Sequence, residues 1–133
     1  KNIPAGAYQD LFFITKPEKT KRFIDAMKDI CGKHSYEFDK LGIYQQPIEH
    51  NRACQLQFSF FYDPADAAAV EEVKAIYDAA FEKMLELGGY FTRPYGNMAE
   101  RLYERAGSYT AALKKVKELF DPENIMNPGN LCF

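Results

Sequence analysis

Between Gly88-Gly89 and Gly96 the chain reads Tyr90-Phe91-Thr92-Arg93-Pro94-Tyr95, a guanidinium set among aromatic rings in a segment shaped by glycines and a proline. Arginine keeps its charge at all relevant pH values and grips a carboxylate or phenolate with two parallel N–H donors. Tyrosine hydroxyls can share a proton with the same oxygen. Arg93 is therefore a candidate anchor for an anion, and Tyr90 and Tyr95 are candidate hydrogen-bond partners of a reacting oxygen. The structural alternative is an arginine in a surface loop, stacked on tyrosine and paired with Glu100.

A second set of candidates lies on one face of a strand. Cys54, Leu56, Phe58, Phe60 and Tyr62 alternate with Gln55, Gln57, Ser59 and Phe61, a period of two that requires one apolar and one polar face. Amide side chains are better suited to lining a binding cavity than the Lys, Glu and Thr of a solvated sheet. Gln55 and Gln57 are thus candidate substrate contacts, joined by Tyr44 or Gln45 from the neighbouring strand. The alternative is a face that simply meets water. His50, in the polar tip Gln46-Pro47-Ile48-Glu49-His50-Asn51-Arg52, could carry a proton near neutral pH, or could simply be solvated.

Other chemistries lack their residues. His34 and His50 are the only histidines, and no C-x-x-C or H-x-x-x-H spacing occurs, so no metal site is expected. There is no G-x-G-x-x-G, P-loop or G-x-S-x-G, and hence no cradle for a pyrophosphate and no nucleophile elbow.

The elements that must position these groups follow from periodicity and caps. Residues 8–14 suit a strand. Thr15-Lys16-Pro17-Glu18 offers a capping box to a helix with Phe23, Met27, Ile30 and Cys31 on one face. Residues 42–49 form a second strand, confined to an edge by Pro47, and hairpin-linked to the alternating third. Asp63-Pro64-Ala65-Asp66 starts a second helix with Val70, Val73, Tyr77, Ala80, Phe81, Met84 and Leu87 on its stripe, ended by Gly88-Gly89. Tyr90-Phe91-Thr92 supplies a fourth strand. The expected fold is α+β: a ferredoxin-like β-α-β-β-α-β antiparallel sheet with helices on one face. Two C-terminal helices follow, near residues 97–105 and 109–120, the second capped by Ser108.

The length of 133 residues fits a single domain, residues 1–133. Seventeen basic against nineteen acidic residues, interleaved, give no patch for nucleic acid or an anionic membrane. Cys31, Cys54 and Cys132 are odd in number and far apart, which fits a reducing compartment, the cytoplasm. No apolar run is long enough to span a bilayer. The chain starts at Lys1 rather than Met, and Asn2-Ile3-Pro4-Ala5-Gly6 reads as a linker, so a processed chain or a piece of a longer one is expected.

The C-terminal stretch has the form K-x-x-F-D-P-x-x-I-x-N-P-G-x-L over residues 117–131. Asp-Pro and Asn-Pro-Gly dictate turns, while Ile125, Met126, Leu131 and Phe133 look like side chains meant for burial. This segment strongly resembles the C-terminal end of FAD-linked oxidases of the vanillyl-alcohol oxidase and 4-cresol dehydrogenase superfamily. The segments Gly42-Ile43-Tyr44-Gln45-Gln46-Pro47 and Gly89-Tyr90-Phe91-Thr92-Arg93-Pro94-Tyr95-Gly96 resemble those of the same cap domains.

The resemblance implies a substrate-binding cap on an FAD-dependent oxidoreductase that oxidises an alcohol, phenolic compound or 2-hydroxy acid by hydride transfer to flavin. FAD would be held mainly by an N-terminal domain of the same polypeptide, absent from this chain, with Asn127 and Gly129 of the closing strap reaching towards the cofactor. A small-molecule substrate is implied, and a homo-oligomer is possible. In the phenol-oxidising branch a Tyr-Arg pair follows the glycine, whereas here Phe91 follows Tyr90. The lactate and glycolate branch often carries H-G-D-G-N-x-H, which this chain lacks. The rival reading is a free-standing ferredoxin-like module for ligand binding or oligomerisation.

Overall fold

A computed structural model describes residues 6–94, 96–129 and 132. The chain forms two compact units, Lys1–Thr92 and Arg93–Phe133. The first unit runs β1 (Ala7–Thr15), α1 (Thr20–Lys33), β2 (Gly42–Ile48), β3 (Ala53–Tyr62) and α2 (Ala67–Glu86). Its strands form one antiparallel sheet in the order β1-β3-β2.

The alternation along β3 is obeyed. Cys54, Leu56, Phe58 and Phe60 are buried, and β1 sets Leu11 opposite Phe58 and Phe13 opposite Leu56. The helices α1 and α2 pack on each other over this face. From α1 come Phe23, Met27, Ile30 and Cys31, and from α2 Val73, Ile76, Ala80, Phe81 and Met84. Phe13 sits at the centre, its ring 4.8 Å from that of Phe23 and 5.4 Å from that of Phe91. Each fully buried phenylalanine contributes roughly 1.5–3 kcal/mol.

The edge position of β2 explains Pro47, whose missing N–H interrupts no inner ladder. Because β2 begins at Gly42, opposite Ser59, no strand pairs with Phe61 on that side. The Tyr36 hydroxyl takes over, accepting from the Phe61 N–H at 3.0 Å and donating to the Phe61 carbonyl at 3.2 Å.

Helix α2 is capped at both ends. The Asp66 carboxylate accepts the amides of Ala68 (2.9 Å) and Ala69 (3.3 Å), which places Pro64 before the helix rather than in its first turn. At the other end Gly88 adopts φ 88°, its N–H bonding the Leu85 carbonyl, while the Gly89 N–H bonds the Met84 carbonyl. This is the paired closure of a Schellman turn. A Cβ on Gly89 would lie 2.9 Å from the Phe13 ring and 3.0 Å from the Met84 carbonyl oxygen, so only glycine lets the chain pass the core.

The fourth strand is reduced to one pair. Tyr90 exchanges two backbone hydrogen bonds with Ile14, at 2.8 and 2.9 Å, as an isolated antiparallel bridge. Continuing that register would set Pro94 opposite Asp10, at a position that must donate and cannot. The position on the free side of β1 is still the one a ferredoxin-like order requires.

The capping box at Thr15 does not form. Register with Cys54 turns Thr15 to the core face, and Glu18 lies in a 3-10 turn, Pro17–Lys19, that precedes α1. The hydroxyl that bonds backbone there is that of Thr20, donating to the Pro17 carbonyl at 2.8 Å.

In the second unit α3 (Asn97–Arg105) and α4 (Gly107–Phe120) meet at Ala106, which ends one and begins the other. Ser108 therefore lies inside α4 and caps nothing, since the shared residue leaves no separate cap position. The Thr110 hydroxyl donates to the Tyr103 carbonyl at 2.7 Å, fastening α4 to α3. After α4, Asp121 is 8% exposed and accepts the amides of Ile125 (2.9 Å) and Met126 (2.8 Å). The Lys117 ammonium bonds both that carboxylate and the Met126 carbonyl. The F-D-P-x-x-I motif is thus a clamp in which Lys117 and Asp121 set the course of the chain into Asn127-Pro128-Gly129. Ile125 and Met126, expected to be buried, are 76% and 62% exposed. Leu131 and Phe133 lie outside the described residues.

Two measurable consequences follow from these polar groups. Among the described residues the Thr15 hydroxyl oxygen is buried without a hydrogen-bond partner, so Thr15→Val keeps the branched shape and removes an unmet group. It is expected to raise unfolding stability by about 1 kcal/mol in chemical denaturation; a clear loss instead would show that the hydroxyl is bonded. Lys117, helped by the two amides and opposed by burial, holds the Asp121 carboxyl below the ordinary aspartate range. Its stabilising contribution is thus fully present above that range and is lost as pH falls through the lowered value. In an NMR acid titration the Ile125 and Met126 amides should keep their bonded shifts until below the point where ordinary aspartates protonate. A midpoint at or above the usual value sinks the assignment.

Candidate functional site

The sheet face away from the helices is built in rows fixed by register. One row is Ile14, Gln55 and Gln46, and the next is Phe12, Gln57 and Tyr44. The third is Asp10, Ser59 and Gly42, and Tyr8 lies beside Phe61 at the end. Tyr90, directly paired with Ile14, points to the same side and extends the first row. Phe91 accordingly points the other way and is 4% exposed, its ring 4.9 Å from that of Phe81.

Four of the residues singled out from sequence thus share one surface: Tyr44, Gln55, Gln57 and Tyr90. Tyr44 and Tyr90 are 51% and 67% exposed, and the two glutamines are half-buried. Of the pair Tyr44 or Gln45, the register selects Tyr44. Gln45 lies opposite Leu56 on the helix side, its amide 3.5 Å from the Thr20 hydroxyl.

The surface also carries groups that the sequence pattern alone did not single out as site residues. Asp10 accepts a 2.6 Å hydrogen bond from the Ser59 hydroxyl, which in turn accepts one of 3.3 Å from the Gln57 amide. A charge in the middle of the aromatic run of β1 was the available signal, because a carboxylate there belongs on the face away from the core. Gly42 is required beside it, since a Cβ would come within 3.0 Å of the Phe61 ring and 3.1 Å of the Ser59 Cβ.

His50 lies off this face, in the hairpin tip of residues 49–52. Glu49, His50 and Asn51 have φ of 52°, 54° and 64°, three successive side chains in the left-handed region. Such residues cost about 1 kcal/mol each, and the tip is closed by the Arg52 amide and guanidinium, both bonded to the Glu49 carbonyl at 3.1 Å.

The remaining candidates belong to the second unit. Arg93 is exposed and forms no ion pair among the described residues, so the pairing with Glu100 that the structural alternative offered is not made there. Tyr95 lies outside the described residues. Asn127 and Gly129 have left-handed φ of 50° and 77° and are exposed. Gly129, with Cys132, borders an open groove of about 830 Å³ along α3 and α4 that also touches Glu100, Tyr103 and Lys114.

Burial pushes the Cys31 thiol up to about 11 and raises that of Cys54, which keeps both protonated at neutral pH. Among the described residues no three His, Cys, Asp or Glu side chains converge as metal ligands. No helix of the described residues is long and apolar enough to cross a membrane. At the start of α2 the free amides are already taken by Asp66, so that helix end offers no seat to a pyrophosphate.

Comparison with known proteins identifies the family. The profile of the family described as FAD linked oxidases, C-terminal domain, matches residues 15–131. The chain is 24% identical over 119 residues to D-2-hydroxyglutarate dehydrogenase of Haemophilus influenzae, covering 87% of this chain and 11% of that protein. It is 28% identical over 114 residues to glycolate oxidase subunit GlcD of Bacillus subtilis, covering 81% of this chain and 22% of that protein. It therefore spans only about a ninth and a fifth of these curated relatives. No solved structure matches the chain. With the family profile running from the end of β1 into the closing strap, the chain belongs to the FAD-linked oxidase C-terminal domain family.

Proposed function

We propose that residues 1–133 are the substrate-side cap of an FAD-dependent oxidoreductase that oxidises a 2-hydroxy acid, with the flavin held by an N-terminal domain of the same polypeptide. The observation that carries this reading is the open sheet face, on which Tyr90, Gln55, Gln57 and Tyr44 are gathered by register. Relatives named for D-2-hydroxyglutarate and glycolate support the substrate class. The burial of Phe91 supports it too: a loop shift placing Arg93 there, as a phenolate-binding Tyr-Arg pair would need, would put a guanidinium into the core beside Phe13 and Phe81.

Bound FAD supplies the acceptor for the hydride lost from the hydroxyl-bearing carbon. This chain's residues bind, orient and exclude water. Arg93 supplies the cation for the substrate carboxylate. The Tyr90 hydroxyl, with Tyr95, bonds the oxygen that changes from hydroxyl to carbonyl, and Gln55 and Gln57 line the roof with Tyr44. His50 at the hairpin tip is the nearest candidate proton carrier in sequence to that roof, and Asn127 and Gly129 reach towards the cofactor. The exposed apolar side chains Tyr109, Val116, Phe120, Ile125 and Met126 then form the surface that meets the rest of the polypeptide.

The test uses the full-length polypeptide, purified with its flavin. Arg93→Ala is expected to lower kcat/KM for a 2-hydroxy acid by roughly a hundredfold, the loss of a charge-assisted contact worth about 2–3 kcal/mol, and Tyr90→Phe by less. The visible flavin spectrum should be unchanged in both. Wild-type kcat/KM in Arg93→Ala would remove Arg93 from the site, and a full-length protein that binds no flavin would sink the reading as a whole.

A further inference from the structure

We propose that Asp10, held by Ser59 on the open face, decides which substrate tails are accepted: it takes a hydrogen bond from a hydroxyl on the tail and turns away a second carboxylate. The inference rests on the reading of this face as the substrate cover, and deepens it from 2-hydroxy acids in general to those with a neutral, donor-bearing tail.

A carboxylate can only accept hydrogen bonds. One oxygen of Asp10 is occupied by the Ser59 hydroxyl at 2.6 Å. The direction of that bond is fixed from behind, because the Gln57 amide donates to the Ser59 oxygen at 3.3 Å and leaves the serine proton for Asp10. The polar chain therefore runs from Gln57 through Ser59 to Asp10 and ends at an oxygen that still accepts. No cation answers it: among the described residues Asp10 forms no ion pair. It is also the one acidic or basic side chain in the rows that β1, β2 and β3 present on this face.

The surroundings keep this acceptor reachable. On the β2 side the partner of Ser59 is Gly42, where a Cβ would crowd both Ser59 and the Phe61 ring, so nothing projects over the Asp10–Ser59 pair from that strand. Phe12 and Phe61 flank it on the same face. Once covered, such a surface would hold little water to screen the charge, so a donor is favoured and a like charge disfavoured. Rejection of this kind is a repulsive element built into the site, distinct from the carboxylate anchor.

Three racemic acids that differ only in the group on the third carbon make the test: lactate with a hydrogen, glycerate with a hydroxyl, malate with a carboxylate. In the full-length flavoenzyme, kcat/KM for glycerate should exceed that for malate, and Asp10→Asn, equal in shape, should lower the glycerate-to-malate ratio on the order of tenfold or more. Ser59→Ala, which leaves Asp10 unheld, should move the ratio in the same direction by less, and it replaces Asp10→Asn if that variant does not fold. A folding defect alone would scale all three acids together and leave the ratio fixed. Flavin reduction by lactate with an unchanged ratio in both variants overturns the role of Asp10 while leaving the cover reading standing. Flavin reduced by none of the three acids overturns both.

Discussion

Strand β3 is hydrogen-bonded on both sides, to β1 through nine residue pairs and to β2 through seven, and everything else in the first unit hangs on that register. Its side chains alternate without a break from Cys54 to Phe60, so a slip of one position would send Phe58 and Phe60 into the open and pull Gln57 and Ser59 under the helices. The burial of six phenylalanines holds the register against such a slip. Two glycines then decide how closely neighbours approach: Gly89 lets the chain turn past Phe13 after α2, and Gly42 leaves room beside Ser59.

From that constraint the open face follows. Its residues are not chosen one by one but are the complement of the core, the positions left over when Leu11, Phe13, Leu56 and Phe58 point inward. The bridge between Tyr90 and Ile14 links this face to the glycine-bounded segment, so the orientation of Tyr90 is set by backbone bonds rather than by its own contacts. Phe91, one residue on, is consumed by the core. A family member with a different residue order here would need a different core.

The second unit is organised by charge instead of by aromatic packing. No residue of α4 is buried, and the turn that follows depends on a carboxylate that gathers two amides and an ammonium. That arrangement fixes the backbone leading into the strap while the side chains of Ile125 and Met126 stay exposed.

Much of this was legible in the residues. The period of two from Cys54 to Tyr62, the apolar stripes of α1 and α2, the stop at Gly88-Gly89 and the edge-strand Pro47 each act through local sterics or through the simple division of apolar from polar, and these determine strands, helices and faces. The terminal motif and the segment after Gly89 pointed to the family. Tertiary structure decided what depends on partners distant in the chain. It turned Thr15 inward against Cys54, chose Tyr44 over Gln45, cut the fourth strand to a single pair and placed Asp10 beside Ser59, forty-nine positions away. None of these could be read from spacing, because strand register is a cooperative choice among alternatives that local propensity leaves nearly equal, settled only when the whole aromatic core is buried at once.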